Sequence, residues 1–205
     1  MTTTKRTTTK TAAARKGRKT AKPHTIDGIR YKSGTLVKIH QEMKQAVADG
    51  WIHSFTLPQI GDGQKKSKFG AYKAEVDGFI FDSVMEARFY VYLSGLRYRG
   101  EIRSFDRQVT YELQPKFRSK VTGKVILPIT YIADFRIIAN DGSQTVVDVK
   151  GKETDVFLMK KKMMQYRYPE LRFLCIQWRA STGTWEDLED IKAARRKAKR
   201  SKKVG

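Results

Sequence analysis

The sequence predicts an α/β domain, and three observations predict it. Alternating apolar residues from Ile129 to Ile138 and from Gln144 to Lys150 have the periodicity of strands, and the turn-forming residues Asn140 to Ser143 separate them. Apolar residues at helical spacing follow Ser83. A second helical segment, Thr154 to Tyr166, lies beyond the strand pair. Strands and helices therefore alternate along one chain, which is typical of the α/β class.

Length and composition predict four consecutive parts. With 205 residues, 40% of them hydrophobic, the chain can bury one core of ordinary composition. Residues 1–22 form a basic tail without apolar periodicity, which we expect to be disordered when unbound. Residues 23–67 form an appended N-terminal segment, residues 68–183 the core, and residues 184–205 a basic C-terminal helix and tail. We see no internal repeat in the chain.

The elements ahead of the strand pair follow in chain order. Leu36 to Ala48 has near-helical apolar spacing and predicts a short helix. Trp51 to Ile60 predicts a short extended stretch, and the polar residues from Gly61 to Lys66 predict a loop. Tyr72 to Phe81 predicts a single strand that leads into the helix after Ser83.

The helix after Ser83 has an apolar stripe with Glu86 at its border. Val109 to Leu113 alternates as the next strand, and Pro115 to Lys124 predicts a basic loop or hairpin tip. The stripe consists of Met85, Phe89, Leu93 and Leu96.

The elements after the strand pair complete the core. The helix from Thr154 to Tyr166 precedes the apolar strand Leu171 to Ile176. Thr184 can cap a C-terminal helix with an acidic start and a basic end, from Arg195 to Lys203. That polarity suits the helix dipole, so simple helix stabilisation also explains it.

The net charge of +21 predicts a nucleic-acid partner. Residues 1–22 and 192–205 each carry eight Lys or Arg and no acid. Without these two segments the chain has 26 basic and 21 acidic residues, a net charge of +5. Basic tails bind phosphate backbone without sequence preference and in a salt-dependent way. The alternative is that they only keep the protein soluble.

Two acidic residues interrupt the predicted strand pair, although carboxylates are poor strand formers. A two-residue turn would place Asp134 opposite Val149, with the two aspartates on opposite faces. A three-residue loop with Gly142 left-handed instead places Asp134 opposite Asp148. We predict this second register, in which Ala139 pairs with Ser143.

In that register, the period of two also puts Lys150 on the face of Asp148. Two opposed carboxylates lie close enough to share one hard cation such as Mg²⁺, which polarises phosphoryl oxygens and activates water. The spacing therefore indicates metal-assisted phosphodiester hydrolysis. On spacing alone, an exposed polar strand edge explains Asp148 and Lys150 equally well.

Several segments carry a family resemblance. They are Val76 to Ala87, Gly100 to Ile102, Gln108, Tyr131 to Phe135, Asp148 to Gly151, and Phe157 with Lys160. In this order and spacing, they resemble the PD-(D/E)XK nuclease superfamily, and more closely a family of largely uncharacterised phage proteins placed in it. The match runs from roughly residue 68 to residue 178. Residues 23–67 have no counterpart in it, and Ala133 replaces the proline of the superfamily name.

The resemblance implies a core of helix, three-stranded antiparallel meander, helix and strand. It implies that Glu86, Asp134 and Asp148 bind Mg²⁺, or Mn²⁺, and that Lys150 assists the attacking water. The activity would be that of an endodeoxyribonuclease that leaves a 5′-phosphate and a 3′-hydroxyl. Recombination, replication or packaging intermediates are the substrates expected of phage relatives, and a branched substrate would require two sites and hence a homodimer.

Two of the candidate residues, Glu86 and Lys160, have competing explanations. Ser83 and Glu86 also fit a capping box that closes the start of the helix. Lys160 and Lys161 on the second helix, and Gln108 by resemblance, are candidates for contact with nucleic acid. A solvated helix face explains Lys160 equally well.

Other chemistries are not indicated. His24, His40 and His53 are scattered outside the core, and a single cysteine forms neither a zinc site nor an internal disulfide. Cys175 in an apolar strand predicts a buried thiol, which suits a reducing cytoplasm. We see neither a signal peptide nor a membrane span, so the expected location is the cytoplasm, of the host if the gene is phage-borne. The alternative functions are a non-catalytic nucleic-acid-binding protein on a nuclease scaffold and a structural basic protein.

Overall fold

The computed structural model describes residues 23–67, 70–151 and 153–204. The predicted disorder of residues 1–22 therefore lies outside the described residues.

The first part of the described chain forms two hairpin–helix units. The first unit consists of β1 (His24–Ile26), β2 (Ile29–Tyr31) and α1 (Gly34–Ala48). The second consists of β4 (Ala74–Val76), β5 (Phe79–Phe81) and α2 (Val84–Tyr98), with β3 (Phe55–Thr56) paired to the outer side of β4. The prediction of one strand from Tyr72 to Phe81 was wrong, because Asp77 and Gly78 form a tight turn with φ of 52° and 78°. Both angles are left-handed, as a type I′ hairpin turn requires.

The two units are an internal repeat with an offset of 50 residues, so the expectation of no repeat was wrong. Each has an Asp-Gly turn, with φ of 49° and 76° at Asp27 and Gly28 in the first unit. Each helix has 15 residues and a serine N-cap, Ser33 in one and Ser83 in the other. In the first unit His40 contacts the turn aspartate at 3.3 Å. Its equivalent in the second unit, Tyr90, donates to the turn aspartate at 3.2 Å.

The repeat is hard to see in the sequence, because the two units share few identical residues outside their turns and caps. Between residues 24–52 and 74–102 only five positions are identical, and they are the turn Asp and Gly, the capping Ser, the glycine after the helix, and one isoleucine. At the remaining positions the residues differ, and several change character, as Leu36 does to Glu86. The segment 23–67, for which the resemblance had no counterpart, thus contains a copy of a unit within the matched region.

The second part of the chain forms a mixed five-stranded sheet with the order β12-β11-β10-β9-β6. Its neighbours are antiparallel, except that β10 and β11 are parallel. The predicted α/β class is confirmed. The elements are β6 (Ser104–Gln114), β7 (Phe117–Arg118), β8 (Val125–Ile126), β9 (Ile129–Ile138), β10 (Gln144–Val149), α3 (Asp155–Arg167), β11 (Arg172–Arg179), β12 (Thr184–Asp187) and α4 (Leu188–Val204).

Several boundaries differ from prediction. Thr184 does not cap the last helix, because Thr184 to Asp187 pair with β11 as a strand and the helix begins at Leu188. Pro115 to Lys124 is a hairpin tip, formed around β7 and β8. The sheet excludes Trp51 to Ile60, of which only Phe55 and Thr56 are a strand.

Two hydrophobic clusters cover the two faces of the sheet. On one face, which we call the α2 face, Phe135 and Val147 pack in the same cluster as Leu93 of α2 and Met43 of α1. On the other, the α3 face, Tyr131 and Val146 pack with Met164 of α3 and Ile191 of α4. His40 belongs to the buried part of the first unit, with 5% exposure and its Nδ1 2.8 Å from the Tyr31 hydroxyl, rather than to a loose surface segment.

Halfway along β6 and β9, the side chains at alternate positions change from one face of the sheet to the other. A regular strand keeps alternate residues on one face. Here Phe135 packs on the α2 face but Ala133 packs on the α3 face. The register is the same on both sides of this point, since Arg107 pairs with Phe135 and Val109 with Ala133. The change coincides with Gln108, whose φ of 52° is unusual for a non-glycine residue in a strand.

The predicted register of β9 and β10 is confirmed. Val147 pairs with Phe135 and Gln144 with Ile138. The Ala139 amide donates to the Ser143 carbonyl at 2.9 Å, and Gly142 has a φ of 86°. Continuing this register by one residue places Asp134 opposite Asp148. Among the described residues, no helix is long and apolar enough to cross a membrane.

Candidate active site

Four predicted residues lie near one another around the end of β10. Glu86 lies in the first turn of α2, Asp134 lies where β9 changes faces, and Asp148 and Lys150 lie at the end of β10. The charges of Asp148, Lys150 and Glu86 all act on Asp134. The sequence therefore folds so that three carboxylates and one ammonium are electrostatic neighbours.

Asp148 is the most buried of these groups. It is 1% exposed, yet neither carboxylate oxygen receives a well-formed hydrogen bond from the described residues. The Lys150 Nζ lies 2.9 Å from one oxygen, so the charges are paired but the bond is poorly directed. Buried carboxylates without hydrogen bonds are costly, because burial removes water that nothing replaces. Asp148 thus has unused capacity to bind a cation.

Asp134 holds the end of β10 in place. One of its oxygens accepts a hydrogen bond from the Val149 amide at 2.8 Å. Burial first, and then the negative charge of Asp148, raise the pKa of the Asp134 carboxyl to about 8 against the opposing effect of Lys150. Without a cation, this carboxyl is therefore protonated at neutral pH.

Lys150 carries a stable positive charge. Burial alone would lower its pKa, but Asp148, Asp134 and Glu86 outweigh burial and raise it. Its Nζ also lies 5.4 Å from the centre of the Phe157 ring on α3. An ammonium with a raised pKa can donate hydrogen bonds to an anion, but it is a poor general base at neutral pH.

Glu86 has the geometry of both competing explanations. The Ser83 hydroxyl accepts a hydrogen bond from the Glu86 amide at 3.1 Å and donates one to the Glu86 carboxylate at 2.8 Å. Burial raises the pKa of Glu86, the Ser83 hydrogen bond and Lys150 lower it, and the charges of Asp82 and Asp148 add to the increase. The carboxylate thus interacts with the cap and with the site.

The internal repeat separates these two roles. The residue equivalent to Glu86 in the first unit is Leu36, and Ser33 caps α1 through the Leu36 amide at 3.3 Å. The same turn, cap and helix therefore form without a glutamate at this position. The cap of α1 therefore forms without a glutamate, although in α2 the Glu86 carboxylate does accept the Ser83 hydrogen bond.

The donor set suits a hard cation such as Mg²⁺, which prefers carboxylate oxygens. Asp148 offers a buried carboxylate beside the Lys150 ammonium, and burial, followed by the negative charge of Asp148, raises the pKa of Asp134. Within residues 23–67, 70–151 and 153–204, no three such side chains are close enough to hold a metal ion as they stand. Each acid instead contacts a different donor. Glu86 contacts the Ser83 hydroxyl, Asp134 contacts the Val149 amide, and Asp148 contacts Lys150.

The three residues predicted to contact nucleic acid lie in different settings. Lys160 donates to the Thr130 carbonyl at 2.8 Å and lines an open hollow of about 340 Å³ beside Tyr131 and Phe157. Lys161 is 8% exposed and pairs with Glu189 at 2.9 Å, so its ammonium is not presented to a ligand, contrary to prediction. Gln108 is exposed, left-handed and opposite Asp134 in the register.

Sequence reasoning missed Tyr131. Its ring is 5% exposed, and its hydroxyl has no well-formed hydrogen bond among the described residues. Burial and then the charge of Asp148 raise the pKa of this hydroxyl. The available signal was a tyrosine in an otherwise apolar part of β9, three residues before Asp134.

Comparison with known proteins gives one match. A family model described as "Protein of unknown function (DUF1064)" matches residues 66–184, more than half of the chain. No curated protein and no solved structure matches it. The matched region contains all four residues of the cluster and the second hairpin–helix unit, and it begins after the first unit ends.

Proposed function

We propose that this chain, which belongs to the DUF1064 family of proteins of unknown function, is a metal-dependent endodeoxyribonuclease of the PD-(D/E)XK type. Glu86, Asp134 and Asp148 would hold Mg²⁺ or Mn²⁺, and Lys150 would contact the reacting phosphate. The substrate is duplex or branched DNA.

The observation that carries this proposal is the burial of the Asp148 carboxylate beside Lys150. A buried carboxylate needs a positive charge beside it, and Asp148, 1% exposed, has the Lys150 ammonium at 2.9 Å, a position that a divalent cation would share. Lys150 has more than one acidic neighbour, because Asp134 and Glu86 also lie within electrostatic reach of it. An exposed polar strand edge, the alternative for Asp148, does not fit a side chain that is 1% exposed.

The arrangement of elements supports the same class. Around the cluster the chain runs α2, the antiparallel strands β6, β9 and β10, then α3, and then β11 parallel to β10. This is the order of helix, meander, helix and strand that the resemblance implies. The exchange of Glu86 for Leu36 between the repeat units adds an independent reason to count Glu86 with the site.

The chemistry follows from the charges. A bound divalent cation would supply Lewis-acid polarisation of the phosphoryl oxygens and a more acidic water. The Lys150 ammonium would donate to a phosphoryl oxygen as negative charge develops there, which is electrostatic stabilisation of the transition state. The water oxygen forms the new bond to phosphorus while the bond from phosphorus to O3′ breaks. One water proton ends on the leaving O3′ and the other passes to solvent, giving a 5′-phosphate and a 3′-hydroxyl.

Charge supports a nucleic-acid substrate. Helix α4 is anchored by Leu188 and Ile191, which are buried, and its following basic residues are exposed. Such a helix can follow a phosphate backbone without reading its sequence. The exposed basic residues are Arg195, Arg196, Lys197, Lys199 and Arg200.

A second candidate is a nucleic-acid-binding protein without catalysis. One observation favours it: within the described ranges the three carboxylates do not converge on a common point, and Lys150 pairs directly with Asp148. In this case the ion pair would be structural and DNA would bind uncut.

A cleavage panel distinguishes the two candidates. Linear, flapped and four-way DNA would be incubated with the full chain in Mg²⁺, in Mn²⁺ and in EDTA. We expect cleavage with either cation and none in EDTA. We expect Asp148→Asn to lose at least about a hundredfold in rate, since it removes a charge that contacts the reacting centre.

Asp141→Asn is the matched control, because it makes the same chemical change in the same hairpin at an exposed turn residue. It should cut like the unmodified protein. If the unmodified protein binds DNA but cuts none of the substrates with either cation, the catalytic proposal fails and the binding candidate stands. Equal cutting by the Asp148 and Asp141 variants would remove the assigned site.

A further inference from the structure

Arg107 lies beside the site in an unusual setting. It is the residue of β6 just before the left-handed Gln108, and it pairs with Phe135, the neighbour of Asp134. Its side chain extends on the α2 face of the sheet, over the second hairpin–helix unit. It is partly exposed.

Three aromatic rings hold its guanidinium. The guanidinium carbon lies 4.3 Å from the ring centre of Phe79, 4.2 Å from that of Phe81 and 5.7 Å from that of Tyr90. Phe81 and Tyr90 are buried, whereas Phe79 is 47% exposed. Planar stacking on aromatic faces fixes an arginine side chain without using its N–H donors. The donors therefore remain available at the open side of the cradle.

No carboxylate among the described residues forms an ion pair with Arg107. This distinguishes it from the four arginines that do have such partners, which are Arg88 with Glu42, Arg99 with Glu101, Arg136 with Asp106, and Arg179 with Glu186. A guanidinium that is held in place and has no carboxylate partner suits an anion with two acceptor oxygens, such as a phosphodiester.

The surroundings define which anion. The negative charge of Glu86 acts on Arg107, so the guanidinium lies within electrostatic reach of the carboxylate cluster. A phosphodiester whose neighbouring phosphate lies at the cluster would place one anionic group on Arg107 and the reacting one near Lys150.

We propose that Arg107, stacked on Phe79, Phe81 and Tyr90, binds a backbone phosphate of the nucleic-acid strand next to the phosphate that is cut. This inference rests on the proposed function for the position of the reacting phosphate. It adds a strand-positioning contact that sets where along the backbone the site acts.

Arg107→Gln tests the contact, because glutamine keeps a planar group for stacking and removes the charge. Binding of a fluorescein-labelled DNA oligonucleotide would be followed by anisotropy in EDTA, where no cleavage occurs. We expect a roughly tenfold weaker Kd, as for the loss of one charge-assisted phosphate contact, and a slope of log K against log salt that is smaller by about one. Arg103→Gln is the control, since Arg103 is exposed near the start of the same strand.

A double-mutant cycle locates the phosphate. Oligonucleotides that carry a single uncharged methylphosphonate would be compared position by position. At one position the substitution should weaken binding by the unmodified protein and leave binding by the Arg107→Gln variant unchanged. Equal effects of the Arg103 and Arg107 changes, or methylphosphonate effects that add at every position, would overturn the inference. A lower melting temperature with unchanged Kd and salt slope would show a purely structural role and would overturn it as well.

The outcome is separable from that of the proposed function. If the cleavage panel shows no cutting but the cycle shows coupling, the phosphate contact stands and catalysis fails. If cutting depends on Asp148 and the cycle shows no coupling, catalysis stands and the phosphate contact fails.

Discussion

Replacing Asp134 by Asn should make the cation-free protein more stable at neutral pH. The Asp134 carboxyl is buried against Asp148 and Glu86, which raises its pKa from 3.8 to about 8. A carboxyl with a higher pKa in the folded state binds more protons when folded than when unfolded. Its contribution to stability is fully present below about pH 4 and is lost as the pH rises through about 8. Asparagine does not titrate, so the variant lacks this loss.

The magnitude follows from the pKa difference. Between about pH 4 and pH 8, each pH unit lowers the free energy of unfolding by about 1.4 kcal/mol through this group. Raising the pH from about 5.5 to about 7.5 should therefore cost the unmodified protein about 3 kcal/mol relative to Asp134→Asn. A divalent cation that binds the ionised carboxylates should restore about 3 kcal/mol at a concentration a hundred times its Kd.

Urea unfolding followed by tryptophan fluorescence measures this difference. Both proteins would be unfolded in EDTA at the two pH values, and again at the higher pH with Mg²⁺ or with the non-catalytic cation Ca²⁺. Only the difference between the proteins is used, so other titrating groups cancel. A pH dependence that is the same for both proteins would refute the argument about Asp134. Equal stabilisation of both by the cation would refute the assignment of Asp134 as a ligand.

Four further predictions concern other parts of the fold. Gly142→Ala should lower the free energy of unfolding in urea by about 1 kcal/mol, since its φ of 86° strains any other side chain, and unchanged stability would contradict the turn geometry. Arg88→Ala should lower it by about 3 kcal/mol, because the buried guanidinium donates twice to Glu42 and stacks 3.4 Å from the centre of the Trp178 ring. Glu42→Gln should cost less, about 1 kcal/mol, as Glu42 is 46% exposed. Cys175, buried and with its pKa raised to about 12, should react with a thiol reagent near pH 8 only as fast as the protein unfolds, and rapid labelling of folded protein would contradict its burial.

The local order of the site was predictable from sequence because turn chemistry fixes strand register. Glycine at position 142 permits the left-handed conformation that closes a three-residue loop, and a strand period of two then fixes the position of every later residue. The pairing of Ala139 with Ser143, and the placement of Lys150 beside Asp148, follow from this one residue. Prediction succeeded where one local interaction determines the geometry.

Other features depend on tertiary contacts and left weak signals in the sequence. Residue propensity does not predict the left-handed conformation of Gln108. Yet at this residue the apolar side chains of β6 change from one face of the sheet to the other. The burial of Lys161 depends on Glu189, which lies 28 residues later on a different helix. Helical periodicity alone cannot show which basic residue of α3 faces a partner within the chain.

The internal repeat shows how the fold and the site can be separated physically. Two hairpin–helix units share a turn, a cap and a buried helix face, so these features are sufficient to form the unit. Only the second unit adds Glu86, a carboxylate whose pKa burial raises and whose presence the cap does not need. Burial likewise raises the pKa of Asp134, so without a cation both carboxyl groups favour the protonated form. A divalent cation bound as the proposed function requires would favour their ionised form, so its binding should release protons, and this release can be measured.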